Sequence, residues 1–364
     1  MNDERPNFYD LSLNELETLL STWGIPAYRA RQIWTAIYGQ FIPSPEGITT
    51  LPLELRARLG TALRFESLSP ARVLASSDQQ TQKTLFTLPD QSSIEAVLMV
   101  YDRRRTTCIS TQAGCAMGCS FCATGQMGFF RSLTSGEIIE QVLYYARHLQ
   151  QQDERLTNIV LMGMGEPFAN YDAVLDAITR LNDPQGANIG ERRFTISTVG
   201  IVPGIYRFAE EKRQINLAVS LHAATDEVRN ELIPINRRYP LDELFTACHY
   251  YVDTTSRRIT FEWALIQDVN DGLEQADALI ERLRGLICHV NLIPLNPTGA
   301  FPGLAPAPQR ISAFQARLEE NHIPCTLRLR RGVDIQAGCG QLASLEQGDS
   351  YPSTPAGPTP DSTS

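Results

Sequence analysis

The sequence predicts an α/β fold: a partial, TIM-like (β/α)6 barrel preceded by a small helical N-terminal domain and a β-hairpin linker. Two observations carry this. Beyond residue 106, short apolar and β-branched runs alternate repeatedly with longer stretches of helical periodicity, the pattern of parallel strands joined by crossover helices. Before that, leucines at helical spacing give way to two alternating segments separated by a turn.

In chain order, Leu11, Leu13, Leu16, Leu19 and Leu20 share one face of a first helix. Gly24-Ile25-Pro26 stops it, a second helix runs through Tyr28, Ile33, Trp34 and Ile37, and a third fits 53–63, so that 1–64 forms the helical domain. Residues 65–105 form the linker, with strands at 83–88 and 94–101 about the turn Pro89-Asp90-Gln91-Ser92. The barrel spans 106–345. Its strands are predicted at 107–111, 158–162, 194–197, 216–221, 260–266 and 290–294, with a strand-like 326–329 closing the set. Its helices are predicted at 134–149, 171–181, 201–211, 241–251, 273–286 and 308–321. In such barrels chemistry gathers at the C-terminal strand ends. Residues 346–364, rich in Pro, Ser, Thr, Gly and Asp, are read as a disordered tail.

The chain has 364 residues, of which 43% are hydrophobic, enough for a sizeable core. No apolar run approaches the roughly 20 residues of a membrane span, and the charged start, Met1 to Pro6, leads into no signal region. A cytoplasmic protein without membrane association is expected. The net charge of −9 argues at first against a nucleic-acid partner, although only the facing surface decides that. The basic residues are 30 arginines and 2 lysines. Arginine suits phosphate forks and base stacking, and GC-rich codons explain the bias without any function. Eight cysteines without a secretion signal suggest metal or redox chemistry.

The sharpest motif is Cys115-Ala116-Met117-Gly118-Cys119-Ser120-Phe121-Cys122. Three thiolates on one loop leave one iron of a four-iron cluster without a protein ligand, free to chelate a substrate. A structural zinc is the alternative, but zinc takes four Cys or His ligands in paired spacings. Neither Cys108 nor His148 completes such a pair. With an aromatic, Phe121, before the last cysteine, the loop resembles the signature of the radical S-adenosylmethionine superfamily. The resemblance implies a 4Fe-4S cluster on Cys115, Cys119 and Cys122. Its open iron would bind the amino and carboxylate groups of S-adenosylmethionine, and one electron would then yield a 5′-deoxyadenosyl radical. Gly163-Met164-Gly165-Glu166-Pro167 follows the second barrel strand. By itself it reads as a turn whose glycines allow close approach and whose Glu166 can accept from an ammonium group. In the superfamily a similar loop contacts the methionine amino group.

Cys248, Cys288 and Cys325 sit in apolar or helical stretches and read as small buried hydrophobes. Gly338-Cys339-Gly340 favours instead an accessible loop in which a thiol reacts. Taken in order, residues 108–115 (Cys-Ile-Ser-Thr-Gln-Ala-Gly-Cys), the cluster loop, Gly-Met-Gly-Glu-Pro, Ser220-Leu221-His222-Ala223 and Gly338-Cys339-Gly340 resemble the RlmN family of dual-specificity RNA methyltransferases. The match runs from about residue 10 to 345.

The resemblance implies a barrel of the radical S-adenosylmethionine type. It also implies methylation of C2 of adenosine 2503 in 23S rRNA and of adenosine 37 in tRNAs, with two S-adenosylmethionine molecules used per turnover. That carbon lies between two ring nitrogens and is too electron-poor to attack a sulfonium methyl, hence the radical. In the family mechanism Cys339 takes a methyl from the first cofactor, and the radical from the second removes hydrogen from it. The resulting methylene radical adds to the adenine. Loss of the C2 proton and attack of Cys108 on the Cys339 sulfur then release product and leave a disulfide.

Glu95 matches the family's proton acceptor. The plain alternative is a solvated glutamate on an edge strand, and Cys108 is a rival for the proton. Gly165, Glu166, Ser197, Ser220, Leu221, His222 and Asn296 match positions that contact S-adenosylmethionine, and Val199 stands where serine is expected. A flavodoxin-like or ferredoxin-like electron donor and a monomeric state also follow. The sister family Cfr, acting at C8 of the same rRNA adenosine, shares most motifs, while the helical N-terminal unit and Ala116-Met117 lean toward C2. A zinc-binding RNA module without activity is the third reading. RNA contact is expected from Arg29 and Arg31 beside Trp34, from Arg103–Arg105, Arg192–Arg193 and Arg237–Arg238, and from Arg328, Arg330 and Arg331. Solvated surface charge is the plain alternative for these patches; those at 103–105 and 328–331 flank the reactive cysteines and are favoured.

Overall fold

A computed structural model of the chain describes residues 5–343 except residue 329. The predicted tail, 346–364, lies outside the described residues.

Helices α1 (Leu13–Thr22), α2 (Tyr28–Trp34) and α3 (Leu53–Ala62) build the N-terminal unit. A capping box starts α1: the Ser12 hydroxyl accepts from Glu15 N, and the Glu15 carboxylate accepts from Ser12 N at 2.7 Å. A π-turn, Thr35–Gly39, continues α2 and brings the Trp34 and Tyr38 rings to 4.3 Å between centroids. Both rings, with Phe8 and Tyr9, belong to the same apolar core as the barrel. Polar ties reinforce the junction. Arg180 donates to Tyr9 O at 2.6 Å, and Asp10 Oδ1 accepts from Gly136 N at 2.8 Å.

Strands β1 (Ser69–Ala75), β2 (Thr81–Thr87), β3 (Ser93–Tyr101) and β4 (Arg104–Cys108) are joined antiparallel. A separate two-stranded ribbon, β5 (Gln112–Gly114) and β6 (Phe129–Ser132), brackets the cluster loop. The main sheet resumes with β7 (Asn158–Leu161), β8 (Phe194–Thr198), β9 (Asn216–Ser220), β10 (Ile259–Leu265), β11 (Cys288–Pro294) and β12 (Cys325–Leu327). These run parallel to one another and to β4. Among the described residues the sheet does not close, since β1 and β12 each have one neighbour. A partial barrel results.

The helices are α4 (Ala123–Met127), α5 (Ser135–Gln150), α6 (Tyr171–Asn182), α7 (Val202–Glu210), α8 (Asp226–Leu232), α9 (Leu241–Thr255), α10 (Leu273–Leu283) and α11 (Pro308–Glu320). α5 is covered on both sides, by the sheet and by the N-terminal unit, so even its Glu137, Glu140 and Gln141 are buried. Each finds partners, as burial of polar groups requires. Glu140 accepts from Ser67 N at 2.8 Å, and Gln141 bonds Ser110 N and O at 2.8 and 3.0 Å.

Three expectations change. The hairpin is present as β2 and β3, but β1 adds a third strand and β3 pairs with β4, placing Val97 opposite Cys108. The segment therefore extends the barrel sheet. β1 escaped notice because an exposed edge strand carrying Pro70 has no buried face to show. The first barrel strand ends at Cys108, three residues earlier than expected. The chain turns there so that Thr111 N and Gln112 N can both reach Met164 O. Finally, α4 and α8 are too short to announce themselves by periodicity.

Candidate active site

The C-terminal ends of β7 through β11 open into one cavity, walled on its far side by the cluster loop and by the segment around Cys339. All three motif cysteines line it. Their loop is held by its backbone: Cys115 N donates to Gly128 O at 2.8 Å and Ser120 N to Leu232 O at 3.0 Å. Gly118 sits at φ +64, and a Cβ on Gly125 would stand 3.0 Å from Cys119 N and O, so close winding needs both glycines.

Burial pushes the Cys115 thiol up to about 12 and raises Cys119 strongly, with the neighbouring thiols adding to both shifts. Buried thiols so close together ionise jointly only around a positive centre. Among the described residues no three His, Cys, Asp or Glu side chains converge tightly enough to chelate a single metal ion. A structural zinc takes four Cys or His ligands in paired spacings, whereas three thiolates on one loop suit a four-iron cluster that keeps one iron free of protein. The three cysteines lining this cavity fit the cluster by their number.

Opposite the thiols stands Glu166. Gln112 Oε1 accepts from Glu166 N at 3.0 Å, while the carboxylate accepts from Phe168 N at 3.0 Å and Val199 N at 2.8 Å. Burial still holds the carboxyl up at about 7, because the groups opposing it are N–H and hydroxyl donors, none cationic. Gly165 takes φ +100, and a Cβ there would meet Gln112 Cβ at 2.6 Å. This loop thus needs glycine for both reasons. Ser197 and Ser220, at the ends of adjacent strands, face each other with hydroxyls 3.3 Å apart. His222 adopts φ +58, and its Nδ1 accepts from Ala264 N at 2.8 Å. Burial depresses the imidazole to about 3, so it is neutral and carries its proton on Nε2. Asn296 Nδ2 donates to Cys339 O at 3.1 Å, leaving its buried Oδ1 without a partner among the described residues.

Cys339 is accessible, and its surface opens into the cavity. Burial of the surrounding volume and the nearby Glu262 push its thiol up to about 11. Its loop is tied to the cluster loop: Ala123 N donates to Gly340 O at 2.8 Å and Thr124 Oγ1 to Leu342 O at 2.6 Å. Cys108, at the end of β4, is 9% exposed. Burial raises its thiol, and the charge of Cys339 raises it further. The two are 231 residues apart (339 − 108), yet near enough that charge on one thiol resists ionisation of the other. Both are free, so the implied disulfide is not formed in this state. Glu95 lies on β3, an interior strand, and is 5% exposed, which removes the solvated edge-strand reading. Lys83 Nζ sits 2.9 Å from its Oε1, and Ala343 N donates to its Oε2 at 2.9 Å.

Residues 109–281 match the radical SAM superfamily. A probable dual-specificity RNA methyltransferase RlmN from Chloroflexus aurantiacus is 48% identical, over 93% of this chain and 93% of its own. The dual-specificity RNA methyltransferase RlmN 1 of Myxococcus xanthus is 49% identical over 97% and 98%. The chain belongs to the RlmN family. The crystal structure of a radical SAM methyltransferase from Sphaerobacter thermophilus superimposes with a TM-score of 0.91 at 51% identity, covering 93% of this chain and 99% of that one.

Of the RlmN-type positions, Gly165, Glu166, Ser197, Ser220, His222 and Asn296 share the cavity with the four cysteines 115, 119, 122 and 339. The Leu221 side chain is fully buried elsewhere. Only its backbone serves the site, donating to Glu262 O and accepting from Arg229, both at 3.0 Å. Sequence reasoning missed Arg229, which is fully buried. It donates to Leu221 O, to Asn236 Oδ1 at 2.7 Å and to Val199 O at 2.6 Å, and so pins two strand ends beneath the cavity. Its place on the unpredicted α8 hid it. Gln112, which orients Glu166, was likewise passed over inside a motif noticed for its cysteines. Among the arginine patches, Arg105 is engaged by Glu154, whereas Arg104 and Arg331 stack over Tyr101 at 5.2 and 4.4 Å.

Proposed function

We propose that this chain methylates C2 of adenosine 2503 in 23S rRNA and of adenosine 37 in tRNAs, with Cys339 carrying the methyl group. The observation that supports it most is the meeting of Cys339 with Cys115, Cys119 and Cys122 in one cavity. A 4Fe-4S cluster on the three motif cysteines, with S-adenosylmethionine, supplies a carbon radical beside that thiol when bound.

The chain's own groups then divide the work. Glu166, buried without a cationic neighbour, complements an ammonium group. The orphaned Asn296 Oδ1 asks for a donor, His222 offers a fixed N–H, and Ser197 and Ser220 offer hydroxyls. Cys339 must give up its proton before it takes a methyl, and Arg328 opposes the burial that resists this. Glu95, whose carboxyl burial pushes up against the opposing pull of Lys83, accepts the C2 proton. Cys108 attacks the Cys339 sulfur and breaks its bond to the methylene carbon, which takes up a proton to become the product methyl and leaves a Cys108–Cys339 disulfide. The one surplus electron of the adduct returns to the cluster when it is bound. A flavodoxin-like or ferredoxin-like protein delivers the electron, and the enzyme works as a cytoplasmic monomer.

Nuclease digests of RNA from a deletion strain, analysed by mass spectrometry before and after complementation, test this. Complementation should restore 2-methyladenosine, and the Cys339→Ala gene should not. Restoration of 8-methyladenosine alone would move the chain to the Cfr-type reaction.

A further inference from the structure

The segment bearing Cys339 does more than cross the cavity. It lies along the antiparallel extension β1–β3, held at successive points. Arg331 reaches Gln80 and donates to Val100 O at 3.1 Å, and Asp334 Oδ2 accepts from Ser77 N at 2.8 Å. Gly332 packs against Thr81, where a Cβ would stand 2.8 Å from a methyl. Of the segment's contacts with this extension, the two nearest Cys339 come from one buried ion pair. Lys83 Nζ donates to Gln336 O at 3.1 Å on one side of the cysteine, and Glu95 Oε2 accepts from Ala343 N at 2.9 Å on the other. Lys83 and Glu95 are themselves joined at 2.9 Å, with side chains only 5% and 6% exposed.

A second observation singles out Lys83. The chain uses 30 arginines and 2 lysines, and Lys212 is exposed, so Lys83 is the one buried lysine of an arginine-rich protein. A compact ammonium with three donors can meet Glu95 and the Gln336 carbonyl from one point, whereas a planar guanidinium needs a wider slot.

We infer that Lys83 is a positioning residue of the reaction: with Glu95 it forms a clasp that seats both flanks of the Cys339 loop and aims the Glu95 carboxylate. The catalytic part of this rests on the function proposed above, and the seating part does not. The clasp also implies an exchange. A protonated Glu95 is a weaker acceptor, so proton uptake weakens the bond from Ala343 N and loosens the loop as product leaves. Lys83 on β2 and Arg72 on β1 are the cations that bear on Glu95. Removing the nearer one disfavours the carboxylate.

Lys83→Met tests this in the full-length reconstituted enzyme. Hydrogen exchange of the amides from 336 to 343 should quicken at least ~tenfold. The kcat for RNA methylation should fall at least ~tenfold with KM for RNA within about twofold, and the acidic limb of the kcat–pH profile should move to higher pH. Unchanged exchange, or an unmoved limb with wild-type kcat, overturns the inference. Should Lys83→Met alone fold poorly, Lys83→Met/Glu95→Gln removes both buried charges. Exchange must then be fast, and kcat must equal that of Glu95→Gln alone. Additive losses would show Lys83 acting independently of Glu95. If wild type makes no methylated RNA, the functional reading fails while the exchange data still judge the clasp.

Discussion

Replacing Arg229 by Met should cost more than any other single change outside the reactive groups. The guanidinium is fully buried and serves Leu221 O, Asn236 Oδ1 and Val199 O at 3.0, 2.7 and 2.6 Å. Burial lowers its pKa to about 10, so it stays cationic at neutral pH. Hydrogen bonds from a charged donor contribute about 1.5–3 kcal/mol each, so three amount to roughly 4–9 kcal/mol. Releasing the guanidinium from its buried state returns several kcal/mol of desolvation. A net loss of about 3–5 kcal/mol remains, or a fall in Tm of roughly 4–7 °C for a chain of this length. The strand ends bearing Val199 and Ser220 lose their tie together, so S-adenosylmethionine affinity should drop ~tenfold or more. Anaerobic calorimetry, both scanning and titration, measures the two quantities. A Tm within about 2 °C of wild type, with unaltered affinity, would refute the reasoning that this arginine shapes the cavity floor.

Cys108→Ala should leave methyl loading of Cys339 intact but trap a covalent RNA adduct, seen as a shifted band on a denaturing gel. Gly165→Ala should retain the fold while adding about 1–3 kcal/mol of strain and displacing Gln112, which isothermal titration will report as weakened S-adenosylmethionine binding. Glu140 is fully enclosed, and burial pushes its carboxyl up to about 8. A carboxyl raised on folding contributes stability that is complete below its unfolded pKa and is lost as pH rises through its folded value. The urea midpoint of wild type should therefore fall from pH 5 to 9 relative to that of Glu140→Gln, and parallel curves would contradict this. Anaerobically reconstituted protein should be brown and hold iron, and chelation should bleach it. A colourless, zinc-loaded chain would return the three cysteines to the zinc reading.

Much of this was legible in the sequence because parallel strands buried on both faces declare themselves as apolar runs. The strands β7 to β11 and the long helices α5, α6, α9, α10 and α11 fall where periodicity put them. The motif cysteines, Glu166 and His222 were readable because strand-end chemistry lies close to its strand in sequence. Three things were not. β1 is an exposed edge without an apolar face. Arg229 works through backbone carbonyls on other elements, and no spacing rule records such partners. The Lys83–Glu95 pair gains its meaning only from a segment about 250 residues later, folded back onto β2 and β3.

The wide separation of the two loops also sets an order of assembly. A ribosome that adds roughly 5–20 residues per second presents residues 115–122 well before it has made Cys339, a gap of 217 residues (339 − 122), or ~10–40 s at that rate. Throughout that interval the three motif thiols stand in an unfinished basin whose last wall has yet to be synthesised. Metal delivery to them thus meets a more open basin during biogenesis than in the finished protein, where Gly340 is bonded to Ala123 and Leu342 to Thr124.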